Sequence, residues 1–116
     1  METSPKIVGI GRLRKAAASL RRDGDGSPML LLGGASEVWS AMFDLDAWPT
    51  ELRAKAVELQ TSLFRYGPIR ITVEQMVEPE RWQLRRELLE FVETAEQLEH
   101  DLRSRAVDAL SAQEAR

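Results

Sequence analysis

The stretch Pro79-Glu80-Arg81-Trp82-Gln83-Leu84-Arg85-Arg86-Glu87-Leu88-Leu89-Glu90-Phe91-Val92-Glu93-Thr94-Ala95-Glu96-Gln97-Leu98-Glu99-His100-Asp101-Leu102 decides the fold class. Leu84, Leu88, Phe91, Ala95, Leu98 and Leu102 follow at steps of four, three, four, three and four. In a helix of 3.6 residues per turn that spacing forms one stripe, the a/d seam of a heptad pattern. Trp82, Leu89 and Val92 widen its first half into a face broad enough for a globular core. Its second half thins to Leu98, Leu102, Ala106 and Leu110, and Arg105 takes the next seam position. Glu99–Arg103 and Asp101–Arg105 are i,i+4 pairs in the favourable order, about 0.3 kcal/mol each. No breaker follows before Ser111, so a helix starting at Pro79 approaches ~50 Å at 1.5 Å per residue. A compact domain of this length has a radius of gyration of only ~13 Å. The far end is therefore expected to protrude or to lie against a partner. The narrow seam Leu98, Leu102, Ala106 and Leu110 is the expected interface, most simply of a homodimer.

Upstream, Leu52, Ala56, Leu59, Leu63 and Tyr66 mark a second amphipathic helix. Pro49 suits its first turn, and Gly67-Pro68 stops it. A shorter helix is expected from about Ala35 to Phe43, ended by Asp44-Leu45-Asp46. Met29–Leu32 reads two ways. Ser27-Pro28 is good helix-start chemistry, but Gly33-Gly34 weakens a helix by about 1 kcal/mol per glycine, which favours a short apolar packing segment. Ile69-Arg70-Ile71-Thr72-Val73 is branched and alternating and reads as an extended connection. It leads into a turn capped by Thr72. The fold class expected is a mainly α small helical domain with a long C-terminal helix. The alternative is an α+β arrangement pairing Met29–Leu32 with Ile69–Val73.

Charge divides the chain. Residues 1–22 carry six cations against Glu2, a net +5, while residues 23–116 carry ten basic and eighteen acidic groups, a net −8. Ile10, Leu13, Ala17 and Leu20 recur at helical spacing within the basic part, and Asp23-Gly24-Asp25-Gly26-Ser27-Pro28 is a breaker. The expected organisation is a basic N-terminal arm or helix with its Gly/Asp loop at 1–26, then a helical domain at 27–116. The arm packs on the acidic body, or it meets a polyanion through Arg12, Arg14, Lys15, Arg21 and Arg22. The second option makes the chain a nucleic-acid-associated protein.

Chemistry-bearing patterns are sparse. With no cysteine there is no disulfide, thiolate metal site or cysteine nucleophile, which suits a cytoplasmic chain. The longest apolar run, around Met29–Leu32, is far below the ~20 residues needed to span a bilayer, and Met1–Leu20 has no signal-type apolar core. Phe43-Asp44-Leu45-Asp46-Ala47 resembles the nucleophile motif of haloacid-dehalogenase phosphatases, whose two aspartates hold magnesium. Ala47 and Trp48 stand where that family has glycine and threonine, so the stretch reads as a helix end with an aspartate cap. Gly9-Ile10-Gly11 resembles the start of a dinucleotide fingerprint, but Arg14 occupies its third glycine position.

His100, one turn from Glu96, is the sole histidine and reads as a solvated helix residue. Glu87, Glu90, Glu93, Glu96 and Glu99 recur every three residues, slip around the helix and read as a solubilising face. Trp39, Trp48 and Trp82 read as core or rim anchors. The expected function is a non-catalytic interaction or regulatory module that self-associates through its C-terminal helix. No catalytic residue, cofactor or metal is implied.

Overall fold

The computed structural model describes residues 9–21 and 28–114, without the side chains of residues 44, 45 and 109–114. The chain is mainly α. The helices are α1 (Ile10–Arg21), α2 (Pro28–Ala41), α3 (Thr50–Leu63), α4 (Ile69–Gln75) and α5 (Glu78–Glu114), with a 3₁₀ turn at Met42–Ala47 between α2 and α3. No strand occurs among the described residues, so the two-stranded alternative is not needed. The principal extents are 60 × 27 × 22 Å, and the radius of gyration is 16.5 Å. The elongation comes from α5, whose 37 residues span about 55 Å.

One hydrophobic core joins the elements. Leu84, Leu88, Phe91, Val92 and Ala95 of α5 meet Leu52, Ala56, Leu59 and Leu63 of α3, as both stripes predict. Trp48 inserts beside Phe91 with ring centroids 5.8 Å apart. Leu13, Ala16, Ala17 and Leu20 of α1 are fully buried in this same core. The basic N-terminal helix thus gives one apolar face to the core and keeps a cationic side exposed. Arg85 on α5 caps it, donating from Nε to the Leu20 carbonyl at 2.9 Å. That carbonyl belongs to the last turn of α1, the part of a helix whose carbonyls are commonly satisfied by side chains.

Two segments differ from their sequence reading. Met29–Leu32 is helical, and α2 starts at Pro28, seven residues before the expected Ala35. Proline at the first helical position supplies a pre-set φ. Gly34 then serves the packing: a Cβ there would sit 2.7 Å from Cγ and Cδ2 of Leu20. The glycine lets α1 and α2 close on each other, and that contact outweighs its helix penalty.

Ile69–Val73 is not extended but forms most of α4, beginning after Pro68. An isolated strand would leave its backbone groups unpaired, whereas a helix pairs them internally and buries Thr72 and Val73 together. Thr72 does not start a turn. Its hydroxyl donates to the Gly67 carbonyl at 3.0 Å and accepts from the Tyr66 N–H at 3.2 Å. Gly67 itself has φ +124°, which explains glycine at this corner. α3 ends at Leu63, so Tyr66 falls in the connecting turn and is exposed.

Candidate interaction surface

The expected interface lies on the part of α5 that outruns the core. Leu98 is half-buried and packs against the core cluster. Glu99 is the last fully buried residue, and from His100 to Asp108 every side chain is half-buried or exposed. The helix nevertheless runs on to Glu114. Leu102 and Ala106 are half-buried, and Val107 is 60% exposed. Leu110 lies outside the described side chains.

The five cations proposed for a polyanion do not form one free cluster. Arg14 donates to Glu99 Oε1 at 3.1 Å, and Arg21 approaches Glu93 Oε1 at 3.7 Å. Arg12 and Lys15 are exposed, and Arg22 lies outside the described residues. Part of the basic surface of α1 is therefore turned onto carboxylates of α5. The opposed charges of the two chain segments meet within the molecule.

Glu99 departs from the solubilising role read for the glutamate series. Only 1% of its side chain is exposed, and Arg103 also approaches its Oε1 at 3.4 Å. The series at period three hid this, yet Glu99 stands four residues after Ala95 and seven after Val92, both fully buried. A helix carries such positions on one face. The carboxylate is held by two guanidinium groups that each keep about half their surface in water. Glu99–Arg103 is one of the two i,i+4 pairs expected from the sequence. His100 is exposed, as read.

A second polar cluster ties the α3–α4 turn to the start of α5. Tyr66 donates its hydroxyl to Glu80 Oε2 at 2.6 Å, and Arg65 donates to the same oxygen at 3.0 Å. The other oxygen, Oε1, accepts the Val77 N–H at 3.2 Å. Glu80 thus stands three residues into the helix and reaches back to an orphan donor, half of a capping box. The Tyr66 hydrogen bond, then that of Val77, holds the Glu80 carboxyl below its ordinary pKa. The same Tyr66–Glu80 bond pushes the Tyr66 phenol above its ordinary value. The cluster is solvent-exposed and holds a corner of the fold.

Aromatic residues gather on another face. Trp39 packs edge-on against Phe64 at 4.8 Å and lies 6.1 Å from Phe43, which is 79% exposed. Trp82, read as part of the core face, is 38% exposed instead, with the Arg85 guanidinium 4.9 Å from its ring centroid. Between α3 and α5 lies an open groove of about 340 Å³. Leu59 and Phe91 form its floor and Lys55, Glu58, Glu87 and Glu90 its walls. Among the described residues no group of three or more histidine, cysteine, aspartate or glutamate side chains could hold a metal ion. No helix among them is long and apolar enough to cross a membrane. Comparison with protein-family models, with curated proteins and with solved structures finds no match to this chain.

Proposed function

We propose that this chain is a non-catalytic helical interaction module that pairs with a second copy through the distal half of α5. The observation that carries the reading is the helix continuing about 22 Å beyond the last fully buried residue, Glu99, with Leu102 and Ala106 along it. An isolated, solvated helix end of this length gains little from its own hydrogen bonds and is ordinarily stabilised by packing. The stripe is also self-complementary. Leu98, Leu102, Ala106 and Leu110 are spaced by four, so two antiparallel copies oppose Leu102 to Ala106 and Leu98 to Leu110. A two-fold pairing of this kind closes without leaving a free surface.

The absence of cysteine makes the test direct. A single Ala106→Cys variant treated with a short bis-maleimide should yield a covalent dimer. Ser36→Cys, on the exposed side of α2, should stay uncross-linked under the same treatment. Equal, slow cross-linking of both variants would overturn the reading.

A further inference from the structure

We draw no further inference here: the strongest candidate, the exposed aromatic patch of Trp39, Phe43 and Phe64 where the C-terminal end of α2 meets the end of α3, is an apolar face with nothing in the structure to show what covers it.

Discussion

Gly33 and Gly34 are neighbours with opposite duties. A Cβ at Gly33 would meet nothing within 4 Å, whereas one at Gly34 would strike Leu20, itself fully buried. Gly33→Ala should therefore stabilise the protein by up to about 1 kcal/mol through helix propensity. Gly34→Ala should destabilise it by about 1–3 kcal/mol, because overpacking outweighs the same propensity gain. Urea unfolding of the two variants checks both signs. Nothing in the letters Gly33-Gly34 separates these roles; the difference comes from which glycine faces α1. Tyr66 offers a second single-residue test, since it is the chain's one tyrosine. Its phenol should ionise above the ordinary range, and Glu80→Gln should bring the titration back down. The raised value means that the Tyr66–Glu80 bond stabilises the fold below the ordinary phenol pKa and is lost as pH rises through the shifted one. The lowered Glu80 value acts at the acid end, where its contribution persists at neutral pH and is lost as pH falls through the shifted pKa. An absorbance titration of wild type and variant that superimposed would contradict the bond.

Each helix was legible to the degree that its stripe was regular. α3 and α5 show their core positions directly, because Leu52, Ala56, Leu59 and Leu63, like Leu84, Leu88, Phe91 and Ala95, are aligned by period alone. α4 was hidden because Ile69, Ile71, Thr72 and Val73 have strand-like propensities, which tertiary packing overrides. The candidate site was legible only in part. Period marks Leu98 and Leu102 alike, yet only Leu98 packs against the monomer core. The Arg14–Glu99 contact joins residues 85 apart and has no local signature. α1 shows a regular stripe, and its basic side leaves two readings open, an arm packed on the acidic body or one held out for a polyanion. Its apolar stripe is buried in the core. Removing residues 1–26 deletes Leu13 and Leu20 from the core, each worth about 1.5–3 kcal/mol, along with Ile10, Ala16 and Ala17. That loss is comparable with the whole stability of a small domain, about 5–15 kcal/mol. A chain beginning at Ser27 should lose cooperative thermal unfolding by circular dichroism. A sharp transition at the wild-type temperature would show that α1 contributes little.

Taken whole, the molecule is a short bundle carrying one helix longer than itself. Its long axis is 60 Å against widths of 27 and 22 Å, and the proposed pairing would use the end of the helix that makes this length. Half-buried Leu102 forgoes about 1–2 kcal/mol of burial that a partner helix would recover. Leu98 and Leu102 should then respond differently to charge. Leu98→Glu should weaken the fold as well as the pairing, because Leu98 packs on the core. Leu102→Glu should leave the bundle folded. The most direct measurement is the solution mass of wild type and Leu102→Glu by light scattering at matched high concentration. Pairing through α5 gives a wild-type mass near twice the 13.1 kDa of one chain, and a folded Leu102→Glu variant near 13.1 kDa. A wild-type mass of one chain at the highest concentration would contradict it, as would a variant that remains dimeric.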